Sequence, residues 1–163
     1  MFGGHGSSVM VKIARKLEAS KLNLQLIFIC GHNEGLAAEL RGIQGRKYVE
    51  SFTTEVPYYM HLSDFFIGKP GPGSISEALA MKLPVIVECN ARTLPQERYN
   101  AAWVLEKQVG LVVRNFRQIT QRVEALLDSA NFARYRSNAA AMNNRAVFEI
   151  PGMLREILRK AAP

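Results

Sequence analysis

Short, mostly apolar segments alternate along the chain with stretches in which apolar residues recur every three or four positions. The segments that we predict as strands are Leu24–Cys30, Lys47–Glu50, Phe65–Ile67, Pro84–Glu88 and Leu111–Val113. The predicted helices are Ser8–Ala19, Glu34–Leu40, Val56–Leu62, Ser74–Met81, Gln96–Lys107, Phe116–Leu127 and a tail, Phe132–Lys160, that breaks near Pro151–Gly152. Apolar strands alternating with amphipathic helices predict an α/β fold, a Rossmann-like parallel sheet flanked by helices.

Composition is that of one globular domain spanning residues 1–163, with 48% hydrophobic and 21% charged residues. No apolar run approaches the roughly 20 residues of a membrane span. Two isolated cysteines, Cys30 and Cys89, indicate a reducing compartment, so we expect a cytoplasmic protein. His5, His32 and His61 stand apart without metal-ligand spacing, and we expect no bound metal.

Positive charge is concentrated in the last third of the chain. From Arg114 onward there are nine basic and four acidic residues, which accounts for five of the seven net positive charges. Such a surface suits anionic membrane lipid or an acidic partner domain, and a solvated basic face remains the alternative. The sequence contains no basic motif interleaved with aromatic residues, so we do not predict nucleic acid binding.

A glycine-rich turn precedes the predicted helix at Ser74. Gly71, Gly73 and Ser74 let the backbone approach phosphate oxygens at a helix N-terminus, and Glu77 offers a carboxylate to adjacent hydroxyls, as on ribose. The alternative is a capping box, in which Glu77 accepts only from the backbone N–H of Ser74.

The next predicted helix opens with an amide beside a carboxylate. Gln96 and Glu97 suit the hydroxyls of a sugar, because an amide and a carboxylate donate and accept at fixed positions. A capping box formed by Thr93 and Gln96 is the alternative.

A second glycine-rich loop lies at the N-terminus of the chain. Gly4, Gly6 and Ser7 can hold a diphosphate, with His5 as a further donor, although the third glycine of a dinucleotide fingerprint is absent. Such loops follow a strand, so we expect a fragment cut just inside one. The loop at Phe52–Thr53 also follows a predicted strand, where backbone groups can contact a base edge.

These motifs occur in an order that resembles the C-terminal, donor-binding half of GT-B glycosyltransferases. The resemblance rests on Lys69-Pro70-Gly71, on Glu77, on Leu83–Val87 and on Gln96-Glu97-x-x-Asn100. It is strongest with the group containing the peptidoglycan N-acetylglucosaminyltransferases and the monogalactosyldiacylglycerol synthases. Lys69 stands where arginine is common in the peptidoglycan branch.

The resemblance implies a role for each motif. Glu77 matches the acid that binds the ribose of UDP, and Gly71, Gly73 and Ser74 match the turn beside ribose and phosphates. Gln96 and Glu97, with the neighbouring Asn100, match the residues at the donor sugar. The loop of Gly4, His5, Gly6 and Ser7 matches the diphosphate loop, and Phe52 and Thr53 match the segment whose backbone contacts uracil.

The resemblance further implies the UDP-sugar-binding half of an inverting enzyme. A hexosyl group, galactosyl or glucosyl, passes from UDP to a diacylglycerol-type lipid, without cofactor or metal, at a peripheral membrane site. The acceptor site and general base belong to a missing N-terminal domain, so this chain holds no catalytic residue and is inactive alone. The alternatives are a free-standing donor-binding subunit of a two-part N-acetylglucosaminyltransferase and a UDP-sugar epimerase-like or non-catalytic nucleotide-binding module.

Overall fold

The computed structural model describes residues 1–161, in which five strands and eight α-helices alternate. The strands are β1 (Leu26–Ile29), β2 (Lys47–Glu50), β3 (Phe66–Gly68), β4 (Val85–Glu88) and β5 (Gly110–Val113). The helices are α1 (Val9–Glu18), α2 (Glu34–Gly42), α3 (Val56–His61), α4 (Pro72–Ala80), α5 (Pro95–Glu106), α6 (Ile119–Leu127), α7 (Ser129–Ala141) and α8 (Ala146–Ala161). A 3₁₀ turn, Phe116–Gln118, precedes α6. Each strand and helix predicted from the hydrophobic pattern is present.

The strands pair in parallel and fall into two groups. Strand β1 pairs with β2, and β3, β4 and β5 pair in that order. In β4, Ile86 belongs to a core cluster shared with α1, α2 and α6, whereas Val85 and Val87 belong to a second cluster shared with α4 and α5. Because side chains alternate across a strand, helices cover both faces of the sheet. The predicted α/β class, with parallel strands flanked by helices, is confirmed.

Helices α4 and α5 both begin at a proline, slightly earlier than predicted. The structure starts them at Pro72 and Pro95, ahead of the predicted Ser74 and Gln96. Proline suits the first helical position because its φ is already helical and its missing N–H has no acceptor there. The earlier starts place each downstream side chain further into its helix.

The predicted break near Pro151–Gly152 is wrong. Helix α7 ends at Ala141, α8 begins at Ala146, and Pro151 lies inside α8. A proline inside a helix removes one intrahelical hydrogen bond, and α8 is helical on both sides of Pro151. The helical path is interrupted instead at Asn143 and Asn144, and asparagine favours turns over helix interiors.

Helix α8 carries an apolar face that is open to solvent. Its members are spaced at helical intervals and are each more than half exposed: Ile150, Met153, Leu154, Ile157 and Leu158. Within residues 1–161, no helix combines the length and the hydrophobicity needed to cross a membrane. Helix α8 is therefore amphipathic.

Candidate functional site

The predicted site residues lie in loops that leave the carboxyl ends of the strands or open the helices that follow them. The loop Lys69–Gly71 joins β3 to α4, and residues 89–94 join β4 to α5. The loops after β1 and β2 carry His32 and Phe52. Because neighbouring strands are parallel, these loops gather at one edge of each sheet, where α/β proteins bind ligands.

The loop before α4 and the first turns of α5 are in direct contact. Asn100 Nδ2 donates to the carbonyl oxygen of Pro70 at 2.8 Å. A Cβ built on Gly71 would lie 3.8 Å from Glu97 Oε1. The structure therefore brings the two sequence motifs, centred on Gly71 and Gln96, into one surface. Through this hydrogen bond the side chain of Asn100 holds the loop before α4 against α5.

The start of α4 excludes the first capping box. Ser74 is the third residue of the helix, and its Oγ donates to the carbonyl oxygen of Gly71 at 3.3 Å. The backbone N–H groups of Gly73 and Ser74 have no acceptor within residues 1–161. Glu77 lies in the second turn, not the first; its side chain is exposed and makes no hydrogen bond or ion pair in that part of the chain. The Glu77 carboxylate is therefore exposed to solvent, about one helical turn after the free N–H groups of Gly73 and Ser74.

The start of α5 excludes the second capping box. Leu94 precedes the helix, and Thr93 Oγ1 accepts from the backbone N–H of Asn90 at 2.9 Å. Thr93 therefore stabilises the turn before the helix and does not cap it. Gln96 is exposed, and Glu97 is half-buried beside Gly71. The amide and carboxylate predicted for a sugar are consequently both presented at the helix N-terminus.

The N-terminal glycine loop is packed against the turn that follows β1. His32 N–H donates to the Gly4 carbonyl at 2.8 Å, and Asn33 Nδ2 donates to the His5 carbonyl at 3.2 Å. Gly31 has φ +61°, and a Cβ there would lie 2.1 Å from the Gly4 oxygen. Only glycine combines that backbone conformation with so close an approach. The turn after β1 therefore determines where the loop lies.

Three ring side chains form a row beside this loop. The rings of His32 and Phe52 stack with centroids 4.0 Å apart and planes inclined by 16°, and His5 lies 6.4 Å from His32. Phe52 is 55% exposed, so its ring is accessible from the cleft. We did not predict His32 from the sequence; its position directly after a buried strand was the available signal. The row provides flat surfaces on which a planar ring can stack.

The Phe52 loop is held by a polar cluster at the end of β2. Tyr59 and Tyr48 donate from their hydroxyls to Glu50 Oε2 at 2.7 and 2.9 Å. Hydrogen bonds from these hydroxyls, with that of Tyr59 the largest contribution, hold the pKa of the Glu50 carboxyl below its ordinary value. The pKa of Tyr59 is in turn raised by its hydrogen bonds to Tyr48 and Glu50. Thr53 Oγ1 accepts from the Glu55 N–H at 3.0 Å. The Thr53 side chain thus supports the loop.

Glu88 is a further acid at the carboxyl edge that the sequence analysis did not single out. It ends β4, the central strand of its sheet, and is half-buried. Burial raises the pKa of the Glu88 carboxyl, while the N–H of Phe116 and the side chain of Asn90 oppose that shift. Glu88 therefore contacts the loop after β4 and the 3₁₀ turn after β5.

Two exposed side chains near the cleft have few competing partners. Lys69 is exposed and forms no ion pair within the described chain, and the exposed ring of His5 makes no hydrogen bond there. In that same part of the chain, no group of three histidine, cysteine, aspartate or glutamate side chains could hold a metal ion. The site can therefore bind a negatively charged ligand through backbone N–H groups and these two side chains.

Comparison with known proteins gives a consistent family and fold. The sequence model described as "Glycosyltransferase family 28 C-terminal domain" matches residues 2–153. The chain is 33% identical over 172 residues to the chloroplastic monogalactosyldiacylglycerol synthase of Spinacia oleracea, covering 98% of this chain and 33% of that protein. It is 31% identical over 130 residues to the processive diacylglycerol beta-glucosyltransferase of Bacillus cereus (strain AH187), covering 77% of this chain and 33% of that protein.

The fold matches that of solved glycosyltransferases. The glycosyltransferase SnogD from Streptomyces nogalater superposes with a TM-score of 0.66 at 18% identity, covering 94% of this chain and 40% of that one. This match confirms the predicted fold. The chain spans about a third of the length of the two curated relatives named above.

Proposed function

We propose that this chain, which belongs to the glycosyltransferase family 28 C-terminal domain family, binds the UDP-hexose donor of an enzyme that glycosylates diacylglycerol. The two curated relatives are named for galactosyl and glucosyl products of diacylglycerol, and UDP-galactose and UDP-glucose are the donors that fit those names. The acceptor site and the general base are assigned to a separate, N-terminal domain.

One observation carries the proposal. The contact between Asn100 and Pro70 places the open N-terminus of α4 beside that of α5. The free N–H groups of Gly73 and Ser74 suit a phosphate, because a helix N-terminus carries partial positive charge. The Gln96–Glu97 pair then lies where a sugar attached to that phosphate would reach.

The chemistry assigned to this chain is stabilisation of the leaving group. When the acceptor hydroxyl attacks the anomeric carbon, the bond to the diphosphate breaks and negative charge builds on its oxygen atoms. Fixed backbone N–H donors stabilise that charge, at Gly73 and Ser74 and in the Gly4–Ser7 loop. The side chains of His5 and Lys69 contribute to the same stabilisation. This assignment needs no cofactor and no resident metal.

The remaining groups bind the nucleoside and the sugar. Glu77 accepts from the two ribose hydroxyls, since its carboxylate is exposed and unpartnered within residues 1–161. Uracil lies against the row formed by His32 and Phe52, with the backbone at Thr53 contacting the base edge. Gln96 and Glu97 bind the hexose hydroxyls.

Calorimetric titration tests the proposed donor. We expect UDP-galactose and UDP-glucose to bind more tightly than UDP-N-acetylglucosamine. Gln96→Ala should weaken the UDP-hexose about tenfold, because about 1.4 kcal/mol of hydrogen bonding to the sugar is lost. The same variant should leave the affinity for UDP itself within about twofold, since UDP lacks the sugar.

Two results would contradict this proposal. Tightest binding of UDP-N-acetylglucosamine would favour the two-part N-acetylglucosaminyltransferase over a hexosyl donor site. Equal weakening of UDP and UDP-hexose by Gln96→Ala would mean that this amide contacts the nucleotide or only supports the fold.

We further propose that α8 binds an anionic membrane surface. Its apolar face, which includes Leu154 and Ile157, is open, and Arg155 and Arg159 form no ion pair within the described residues. An amphipathic helix with arginines lies in the interface plane, where apolar burial and electrostatic attraction act together. This position would bring the donor site close to a lipid acceptor.

Co-sedimentation with phosphatidylglycerol vesicles tests this surface. We expect Arg155→Ala with Arg159→Ala to weaken binding about tenfold or more, at roughly 1 kcal/mol for each arginine near the surface. Added salt should also weaken binding of the unsubstituted chain. Lys12→Ala, which removes an exposed charge from α1, serves as the control and should have little effect. Binding that ignores both salt and the two arginines would contradict the proposal.

A further inference from the structure

A groove of about 480 Å³, the α4–α5 groove, lies between helices α4 and α5. Ile75 and Leu79, which are buried, line it on the α4 side, and Tyr99 and Trp103 line it on the α5 side. The segment that joins α7 to α8, residues 142–144, completes the lining. Small-molecule sites measure roughly 300–1,000 Å³, so the groove is large enough to hold a ligand.

The lining of the α4–α5 groove is mostly apolar and carries no charge. Among the residues that the structure describes, none with a charged side chain lines the groove, and its polar members are one serine and three asparagines. The ring of Tyr99 is 70% exposed, so one wall of the groove is an aromatic surface open to solvent. A charged ligand would lose its hydration here without gaining an opposite charge, whereas a hydrocarbon would bury its own surface and that of the wall. The lining therefore suits an uncharged hydrocarbon chain.

One end of the α4–α5 groove lies at the proposed donor site. Pro72, the first residue of α4, lines the groove together with Asn100, whose Nδ2 donates to the Pro70 carbonyl oxygen. Ala80 and Trp103, which also line it, each lie about 12 Å along their helices from the first residue, at 1.5 Å per residue. A linear ligand in the groove therefore has one end beside the proposed hexose-binding groups and the other end at Trp103.

The segment that completes the lining also leads into the helix proposed to bind the membrane. Helix α8 begins at Ala146, directly after residues 142–144, and its apolar face is open to solvent. Met142 packs against the core cluster beneath α4 and α5, so it fixes the start of this segment beside the groove. The α4–α5 groove is therefore continuous along the chain with the surface proposed to bind lipid.

We propose that the α4–α5 groove holds one acyl chain of the diacylglycerol acceptor, with the glycerol end at the N-termini of α4 and α5. The choice of diacylglycerol rests on the proposed function, whereas the fit of a hydrocarbon chain rests on the lining of the groove. In this orientation the glycerol hydroxyl lies next to the hexose bound by Gln96 and Glu97. The general base stays with the N-terminal domain, and the groove adds a hydrocarbon contact from the donor-binding half.

The fluorescence of Trp103 reports occupation of the groove, because the chain has a single tryptophan and bromine atoms quench tryptophan on contact. The probes are two short-chain diacylglycerols, used below the concentration at which they aggregate. One is brominated at the far ends of its acyl chains and the other next to the ester groups. We expect the first to quench Trp103 strongly and the second weakly. Each further CH₂ group that enters the groove should tighten binding about fourfold, until the chain outgrows the groove.

Ala80→Phe fills the groove from an exposed position. Ala80 is the last residue of α4, is exposed and lines the groove, so the larger ring occupies the groove and not the core. We expect this variant to bind the end-brominated probe about tenfold or more weakly, because space for at least two CH₂ groups is lost. Ala38→Phe, at an exposed position of α2 outside the lining, is the matched control and should bind within about twofold of the unsubstituted chain.

Three results would overturn the proposal: no quenching by either probe, stronger quenching by the ester-brominated probe, or equal affinities of Ala80→Phe and Ala38→Phe. Sedimentation equilibrium gives a fourth, since a dimer that Ala80→Phe dissociates would mean that a second copy of the chain fills the groove. UDP titration of the same samples separates this proposal from the proposed function. UDP binding without quenching removes the acyl site alone, whereas quenching without UDP binding removes the donor site and leaves a hydrocarbon site.

Discussion

Replacing Gly31 with alanine is expected to lower the free energy of unfolding by about 3 kcal/mol or more and to weaken UDP binding at least about tenfold. The left-handed conformation at φ +61° costs a non-glycine residue roughly 1–2 kcal/mol. The added Cβ would also overlap the Gly4 carbonyl oxygen at 2.1 Å, and backbone has little freedom to move aside. The Gly3–Ser7 loop must therefore shift, and the proposed diphosphate contacts shift with it.

Gly35→Ala is the matched control for this substitution. Gly35 is the second residue of α2, and a Cβ there meets only Asn33 Oδ1, at 3.8 Å. Alanine favours a helix over glycine by roughly 0.5–1 kcal/mol, so stability should be unchanged or slightly higher. Chemical unfolding and UDP titration measure both variants. If Gly31→Ala unfolds at the same denaturant concentration as Gly35→Ala, the loop is not held by the turn after β1.

Glu77→Ala is expected to weaken UDP about tenfold to a hundredfold while leaving the melting temperature nearly unchanged. Hydrogen bonds to a charged group contribute about 1.5–3 kcal/mol, and the proposed carboxylate accepts from both ribose hydroxyls. The small effect on stability follows because the Glu77 side chain is exposed and makes no contact of this kind within residues 1–161. Titration with UDP and thermal unfolding measure the two effects separately.

The deoxy ligand isolates the interaction assigned to Glu77. 2′-Deoxy-UDP lacks one of the two hydroxyls, so the loss caused by Glu77→Ala should be smaller for it than for UDP. Ser76→Ala, at a neighbouring exposed position of α4, is the control and should preserve UDP affinity. A fall in melting temperature with unchanged UDP affinity would mean that Glu77 stabilises the helix and does not contact ribose.

The strands and helices could be predicted because their signal is local. Strand β4 is recognisable in Pro84–Glu88, and β2 has the same bounds in the prediction and in the structure. The break predicted near Pro151 was wrong, because a proline inside a helix removes only one intrahelical hydrogen bond and α8 continues past it. Helices α4 and α5 start at Pro72 and Pro95, because proline suits the first helical position. These starts exclude the two capping boxes that the sequence spacing had left open.

Many residues of the candidate site could be predicted from the sequence, but the contacts between them could not. Glu77, Gln96 and Glu97 were predicted as site residues, and the structure presents Glu77 in the second turn of α4 and the other two in the first turn of α5. The contact of Asn100 with Pro70 joins residues 30 positions apart. The stack of His32 on Phe52 depends on how β1 and β2 align, which neither residue's sequence neighbours specify.

The sequence by itself determined the class of fold, the order of strands and helices and the residue types available at each loop. Hydrophobic periodicity determines these features, because it acts over a few residues. The tertiary structure alone decided which loops meet and that Gly31 positions the N-terminal loop. These features depend on strand order and helix packing, which bring together residues that are distant along the chain.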